Sequence, residues 1–205
     1  KLLAKARAKF KPTFLLEFYT ALAHSRSKDY ATSVRHFTAA ELIARRDEPE
    51  RLTGLFFFQA GSTYERNKDF KQAENYFRQA LKLAPDFAEA LNYLGYMWAE
   101  RGEHLTEAKT MIEKAVKQEP ENAAFLDSMA WVLFRLNQPK EALDFQLKAL
   151  KHQKEPDATL HDHLGDIYAA LKQTDKAREQ WEKAIAIEPS ETIAKKLKAA
   201  APGRP

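Results

Sequence analysis

Small and aromatic residues recur along the chain at fixed distances from one another. The clearest copy of this pattern consists of Phe57, Ala60, Gly61, Tyr64, Ala73, Phe77, Ala80 and Pro85. Two further copies consist of Leu91, Leu94, Gly95, Trp98, Ala108, Ile112, Ala115 and Pro120, and of His161, Leu164, Gly165, Tyr168, Ala177, Trp181, Ala184 and Pro189. The pattern predicts a pair of antiparallel helices in each copy.

Two weaker copies complete the series. One consists of Leu126, Met129, Ala130, Leu133, Ala142, Gln146 and Ala149, and its proline comes late, at Pro156. The other is degenerate and consists of Thr20, Ala21, His24, Ser33, Phe37 and Ala40, with a long exit segment through Arg45–Glu50. The small residue of each copy falls at positions 21, 61, 95, 130 and 165, so successive copies are 40, 34, 35 and 35 residues apart.

The sizes of the recurring residues fit a packed pair of helices. The small residues, such as Gly61 and Gly165, allow the two helices of a pair to approach closely, while large residues such as Tyr64 and Trp181 fill the space between neighbouring pairs. One pair cannot bury its apolar face alone, but five stacked pairs can.

Capping residues support the same helix boundaries. We expect N-caps at Asp69, Asp86 and Ser190, because a carboxylate or hydroxyl at that position accepts from free backbone N–H groups. Pro139 is expected in the first helical turn, where its missing N–H has no cost. One residue more than usual, around Arg101–Glu103, is expected to lengthen the turn between the helices of the third copy.

A period near 34 with these residue types resembles the tetratricopeptide repeat (TPR) family, over residues 14–191. The resemblance implies an all-α fold of the TPR-type α-solenoid, a right-handed superhelix of antiparallel helix pairs. The segments 91–102 and 126–136 also look like bacterial TPR proteins, many of which are associated with the cell envelope.

The expected organisation follows from the positions of the copies. Residues 1–13 are interpreted as the C-terminal helix of a truncated preceding repeat, and residues 14–53 as a degenerate repeat. Four TPR repeats are expected at residues 54–87, 88–122, 123–157 and 158–191. A capping helix over residues 192–200 and a disordered tail over residues 201–205 complete the chain.

Composition excludes several classes of protein. Among the 205 residues, 30% are charged and 44% hydrophobic, and no apolar run approaches the roughly 20 residues that a transmembrane helix needs. Cysteine is absent, which excludes disulfides and thiolate sites but leaves the compartment open.

The chain starts at Lys1 and is interpreted as a piece of a longer protein. Bacterial cytoplasm and periplasm or cell envelope therefore both remain open as locations.

Charge is concentrated at the two ends of the chain. Net charge is +4, with +5 in residues 1–13, +3 in residues 190–205 and therefore −4 in the middle. The middle would repel a polyanion, so no nucleic acid is expected as a partner. The basic run Lys5–Lys11 is interpreted as a solvated helix end, with contact to anionic lipid or nucleic acid as the alternative.

The resemblance implies a binding groove whose concave wall is formed by the first helix of each repeat. The side chains expected to bind a peptide in this groove are Phe58, Asn92, Tyr93, Tyr96, Asp127, Trp131, Phe134, Asp162 and Asp166. Phe18, Tyr19 and Leu22 occupy the corresponding positions of the degenerate repeat. The groove is thus expected to be aromatic in its centre and acidic toward its C-terminal end. Packing of the aromatic rings between repeats is the alternative.

The charges of these residues favour one kind of partner. Asp162 and Asp166 lie one helical turn apart, with Asp127 nearby from the previous repeat, so the three carboxylates could receive a Lys or Arg of a bound segment. Local pairing with lysines of the chain, or simple solvation, is the alternative. TPR domains that hold a C-terminal carboxylate use Lys, Arg and Asn, and of these only Asn92 is present here. A protein or peptide partner with a basic or apolar segment is therefore expected.

Catalytic and metal chemistry are not expected. His161 and His163 are two residues apart and would point about 200° away from each other on a helix, so they cannot share a metal ion. Ser128 beside Asp127 and His163 beside Asp166 lack the glycine-rich turn that a nucleophile and an oxyanion hole require. The sequence therefore predicts no catalytic residues, no metal and no cofactor.

The favoured function is a non-catalytic protein–protein interaction scaffold that binds a peptide or helix of a partner in the concave groove. A second hypothesis is a structural spacer or oligomerisation module that self-associates. A third is an accessory domain of a longer bacterial protein, with the cell envelope as one candidate location.

Overall fold

Residues 9–200 are described by the computed structural model of the chain. The helices of this part are α1 Phe14–Arg26, α2 Tyr30–Asp47, α3 Gly54–Arg66, α4 Phe70–Leu83, α5 Ala88–Arg101, α6 Leu105–Gln118, α7 Ala123–Arg135, α8 Pro139–His152, α9 Ala158–Ala170, α10 Thr174–Ile187 and α11 Glu191–Ala199. A short 3-10 helix, Pro49–Arg51, precedes α3. Residues 9–200 contain no β-strand, which confirms the all-α prediction. Most of the helix predicted for residues 1–13, and the predicted tail 201–205, lie outside the described residues.

The chain divides into two compact units, residues 1–93 and 94–205, with the boundary inside α5. In the first unit α1 packs on α2 and α3 on α4, and in the second α7 packs on α8 and α9 on α10. Each packed pair matches one predicted copy of the pattern. The alternation of small and large residues in the sequence therefore reflects pairwise packing of helices.

The core of the first unit is aromatic. Phe37, Phe56 and Phe77 are completely or almost completely buried. The ring of Phe56 lies 6.0 Å from that of Phe37 and 5.6 Å from that of Phe14, measured between centroids. At Gly61 an added Cβ would lie 2.8 Å from the Phe77 ring, which explains why the small residue is needed there.

The core of the second unit has the same construction with different side chains. Trp98, Ile112 and Leu164 are fully or almost fully buried. Gly165 faces Trp181, and a Cβ at this glycine would lie 2.4 Å from the indole Nε1. Such close approach of α9 and α10 requires the absence of a side chain.

Two of the three predicted caps are confirmed. The side chain of Asp69 accepts from the backbone N–H of Gln72 at 3.2 Å, and that of Ser190 accepts from Ile193 at 3.4 Å. Pro139 is the first residue of α8, as predicted. The prediction for Asp86 is wrong, because α5 begins two residues later.

The loop before α5 explains that difference. The backbone N–H of Phe87 closes a turn onto the carbonyl of Ala84, and the carbonyl of Phe87 accepts the first helical hydrogen bond from Leu91. The ring of Phe87 packs 5.0 Å from that of Phe58. Tertiary packing of one aromatic side chain therefore overrides the local capping preference of Asp86.

The turn within each repeat contains a residue with positive φ. These residues are Lys28, Lys68, Gly102, Asn137 and Lys172. The extra residue of the third repeat is His104, which has a φ of 46° and packs against Trp98, with ring centroids 5.0 Å apart, before α6 begins. It lies in the turn between the two helices, where the sequence predicted an insertion.

None of the described helices has the length and hydropathy that crossing a membrane requires.

Candidate functional site

The predicted groove residues belong to the first helix of each repeat, which are α1, α3, α5, α7 and α9. We use the term A-helix face for the side of these five helices on which the predicted groove residues lie.

In the first unit, most of the predicted groove residues are buried. Phe58 is only 9% exposed, and its ring packs 5.0 Å from Phe87 and 5.2 Å from Tyr93. Asn92 is buried as well, and its Oδ1 accepts no hydrogen bond from the described residues. Tyr93 is half-buried, and its hydroxyl accepts from the guanidinium of Arg66. Of these three side chains, Tyr93 is thus the most accessible.

An open apolar pocket lies elsewhere on the A-helix face of the first unit. It has a volume of about 500 Å³ and is lined by Phe14, Leu15, Phe18, Tyr19, Glu50, Arg51, Thr53, Leu55 and Phe56. We call it the α1–α3 pocket. Leu15, Tyr19 and Leu55 on its lining are 44%, 55% and 55% exposed.

Phe18 and Tyr19 were expected on this face from the sequence, whereas the two leucines of the pocket were not. Leu15 and Leu55 lie six residues before Ala21 and Gly61, the small residues of their repeats. Because that spacing is the same in both repeats, it was a usable signal for a shared face.

In the second unit, Asp127 takes part in a buried polar network. Its carboxylate accepts from Nε2 of Gln146 at 2.7 Å and lies 2.9 Å from Nδ1 of His163. The same Nε2 also donates to the carbonyl of Leu160 at 2.9 Å. Burial lowers the pKa of His163, but attraction to and hydrogen bonding with Asp127 outweigh it, so the pKa is raised above the ordinary value of 6.5. When His163 is protonated, it neutralises the charge of Asp127 within the fold.

Aromatic rings cover this network. Trp131 stacks on His163 with centroids 4.1 Å apart, and Phe134 stacks on the indole at 5.0 Å. The ring of Tyr96 lies 6.3 Å from that of His163. Trp131 is buried, with no acceptor for its Nε1 among the described residues, whereas Tyr96 and Phe134 are half-buried. The structure therefore brings Tyr96, Trp131 and Phe134 together around one histidine.

The acidic pair of α9 is occupied by a lysine of the chain. Nζ of Lys196, on α11, donates to Asp162 and to Asp166, at 2.7 Å in each case. Asp166 also accepts from Nε1 of Trp181 at 3.1 Å. Local pairing with a lysine, one of the alternatives considered from the sequence, is therefore what the structure contains.

Burial and ion pairing act in opposite directions on the pKa values of Asp166 and Lys196. Burial raises the pKa of Asp166 above the ordinary value of 3.8, in spite of the hydrogen bond from Lys196. Burial lowers the pKa of Lys196, but its bonds to the two carboxylates outweigh this and raise it overall. The sequence indicated pairing with a lysine as an alternative but did not identify which one, although Lys196 follows Asp162 by 34 residues, one repeat length.

Metal binding finds no support in the part of the chain that the structure describes. Residues 9–200 contain no group of three or more His, Cys, Asp or Glu side chains arranged to hold an ion. His161 faces Oε1 of Gln180 at 2.8 Å, separately from His163.

Comparison with known proteins agrees with the packing of helix pairs. Two tetratricopeptide repeat family models match residues 58–108 and 97–195. A curated TPR repeat-containing protein of Pseudomonas aeruginosa is 32% identical over 157 residues, which are 70% of this chain and 26% of that protein. The chain thus spans about a quarter of the length of this relative.

Solved structures share the fold at low sequence identity. A chain of the APC/C hetero-tetramer Cut9–Hcn1 matches 97% of this chain and 38% of that chain, with a TM-score of 0.82 and 13% identity. The thermophilic TPR protein TTC0263 of Thermus thermophilus matches 91% of this chain and 98% of that chain, with a TM-score of 0.71 and 15% identity. YrrB, described as a TPR protein with an unusual peptide-binding site, matches 97% of this chain and 98% of that chain, with a TM-score of 0.63 and 18% identity. The chain belongs to the tetratricopeptide repeat family and resembles its bacterial members.

Proposed function

We propose that this chain is a non-catalytic scaffold that binds an extended or helical segment of a partner protein on its A-helix face. The family and fold are those of protein–protein interaction scaffolds. Fold alone does not specify a ligand, so the proposal depends on the side chains of that face.

The observation that carries the proposal is the exposure of large apolar side chains on the A-helix face. Leu15, Tyr19 and Leu55 surround an open pocket in the first unit. In the second unit Tyr96 and Phe134 are half-buried beside a buried polar network. Apolar groups grouped in this way, rather than scattered singly, are typical of an interaction site.

Charges on the same face disfavour an acidic partner segment. Lys196 cancels one of the two charges of Asp162 and Asp166, so the three side chains together carry −1 when all are ionised. An acidic segment would be repelled by the remaining charge. A basic residue of the partner would compete with Lys196 for the same carboxylates.

A peptide-display selection tests the proposal directly. A random peptide library is selected on the immobilised 205-residue chain, and enriched peptides are then tested on two variants. The site variant carries Tyr19→Ser and Tyr96→Ala, one change on the A-helix face of each unit. The control variant carries Leu147→Ser, an exposed leucine on α8, the second helix of its repeat.

We expect peptides that bind the wild type and the Leu147→Ser control but lose affinity for the site variant. Circular dichroism must show all three proteins equally folded. A selection that enriches no peptide, or enriched peptides that bind all three proteins equally, would contradict the proposal. Sedimentation velocity is run on the same samples, because a mass that rises with concentration in the absence of any selected peptide would favour the oligomerisation module.

A further inference from the structure

We propose that the α1–α3 pocket of the first unit binds one apolar side chain, Leu or Phe, of a partner segment that places a Lys or Arg next to it against Glu50. This inference rests on the proposed scaffold function, since it names the chemistry of the segment that the A-helix face receives. Shape, apolar exposure and charge support it separately.

The floor of the pocket is fixed before any ligand binds. Phe14 and Phe56 are almost completely buried, with ring centroids 5.6 Å apart. Phe18 stacks on Phe14 at 5.6 Å with an angle of 9° between the rings. A volume of about 500 Å³ lies within the range of roughly 300–1,000 Å³ that is common for ligand pockets. Preformed walls of this kind reduce the entropic cost of binding.

Apolar exposure is concentrated around this floor. Leu15 and Tyr19 lie one helical turn apart on α1, and Leu55 lies opposite them at the start of α3. The other exposed large apolar side chains in residues 9–200 do not line the pocket, and they are Phe10, Leu42, Leu83, Leu147 and Ile187. Isolated exposed leucines are ordinary, but three large apolar side chains around one cavity form a surface that a partner would bury.

Two charged side chains, Glu50 and Arg51, line the pocket. Arg51 donates to Glu48 and lies 5.5 Å from the centroid of the Phe14 ring, so its charge is already paired within the chain. Glu50 is exposed and makes no ion pair or hydrogen bond with the described residues. Oγ1 of Thr53 accepts from the backbone of Phe56 and caps α3. Within residues 9–200, the lining therefore offers a carboxylate without an ion pair beside an apolar cavity, which complements a cation adjacent to an apolar side chain.

Three matched peptides test both parts of this complementarity. Each is a ten-residue, fluorescein-labelled peptide with Gly and Ser at its ends. The central residues are Leu-Phe-Leu-Lys-Lys in the first, Leu-Phe-Leu-Glu-Glu in the second and Ser-Ser-Ser-Lys-Lys in the third. Fluorescence anisotropy with the full 205-residue chain gives the dissociation constants at low and high salt.

We expect the apolar-basic peptide to bind more tightly than the other two, and high salt to reduce its advantage over the acidic peptide. Tyr19→Ser with Leu55→Ser should weaken its binding by about tenfold or more, as expected when central apolar contacts are removed. Glu50→Lys should reverse the preference between the basic and acidic peptides. Leu42→Ser, a change at a 65% exposed leucine outside the pocket, should have no effect.

Several results would overturn the inference. Equal binding of the serine peptide would exclude the apolar cavity, and an unchanged charge preference in Glu50→Lys would exclude the role of that carboxylate. If Leu2→Ser with Leu3→Ser in the full chain tightens peptide binding, the chain's own residues 1–8 fill the pocket instead. A sedimenting mass that rises with concentration and falls in Leu55→Ser would assign the pocket to a second copy of the chain.

The two proposals fail in distinguishable ways. If display-selected peptides depend on Tyr96 but not on Tyr19 or Leu55, the scaffold function stands and the α1–α3 pocket is not its site. If no library peptide and none of the three matched peptides binds, both proposals are wrong.

Discussion

Gly165 provides the sharpest test of the packing that organises this fold. It lies in the interior of α9, where alanine ordinarily stabilises a helix relative to glycine by about 1 kcal/mol. An added Cβ would nevertheless lie 2.4 Å from Nε1, 2.5 Å from Cδ1 and 2.9 Å from Cε2 of Trp181. We therefore predict that Gly165→Ala destabilises the protein, against the intrinsic preference of the helix.

Three contributions determine the size of this destabilisation, two of them unfavourable and one favourable. Trp181 is only 4% exposed, so the indole has no free space into which to move, and overpacking of this kind costs about 1–3 kcal/mol. Displacing the ring also breaks its 3.1 Å hydrogen bond to Asp166, which contributes about 1 kcal/mol. After the gain in helix propensity of about 1 kcal/mol, a net loss of about 1–3 kcal/mol remains.

Thermal unfolding followed by circular dichroism measures this loss, with an expected fall in Tm of about 2–4 °C for each kcal/mol. The indole N–H resonance of Trp181 should shift as well, because its acceptor is displaced. Gly54→Ala is the comparison variant, since a Cβ at this first residue of α3 would lie 3.3 Å from Cβ of Ala84, a contact that a shift of a few tenths of an ångström relieves, whereas 2.4 Å at Gly165 requires a larger displacement. A Gly165→Ala protein as stable as the wild type, or more stable, would refute the argument that close approach selects the small residue.

Three further predictions concern the candidate site. Lys196→Met leaves two partly buried carboxylates without their cation. The substitution should therefore lower the free energy of unfolding at neutral pH by about 1–2 kcal/mol and raise the pKa of Asp166 further. An unchanged pKa of Asp166 in an NMR titration would contradict this prediction. His163 has a folded-state pKa above 6.5 because Asp127 outweighs burial, so its stabilisation should be fully present below about pH 6.5 and lost as the pH rises through the folded-state value. Urea unfolding at several pH values should show this slope in the wild type and a flatter one in His163→Gln. Phe58→Ala should lower the free energy of unfolding in urea by about 3–5 kcal/mol, as for a core aromatic residue. A much smaller loss would indicate that Phe58 is an accessible groove residue and not part of the core.

The repeat pattern was sufficient to predict the fold class and the pairing of helices. Positions such as Gly61 and Ala73 recur because each helix pair has the same close contact, and steric requirements at such contacts are visible in residue size. The cap at Asp86 was not predictable in this way. Asp86 is not the N-cap because Phe87 turns inward to pack on Phe58. A local capping preference contains no information about that contact.

The candidate site was less predictable than the fold. Exposure of a side chain on the A-helix face depends on the size of its neighbours, so Phe58 is buried by Phe87 and Tyr93, whereas Tyr19 remains 55% exposed. The burial of His163 under Trp131 likewise depends on three-dimensional stacking. The pairing with Lys196 is different, because a strict use of the 34-residue period places this lysine beside Asp162.

Internal compensation changes what the acidic residues of the second unit offer to a partner. Asp127 faces His163, and Asp162 and Asp166 share Lys196, so a cation from another protein would have to displace a partner already held at 2.7–2.9 Å. Displacement gains little, because one ion pair replaces another of similar geometry. Glu50 in the first unit has no such competitor within residues 9–200. Selection for a basic residue is therefore expected at the α1–α3 pocket, while the second unit is left to contribute apolar contacts through Tyr96 and Phe134.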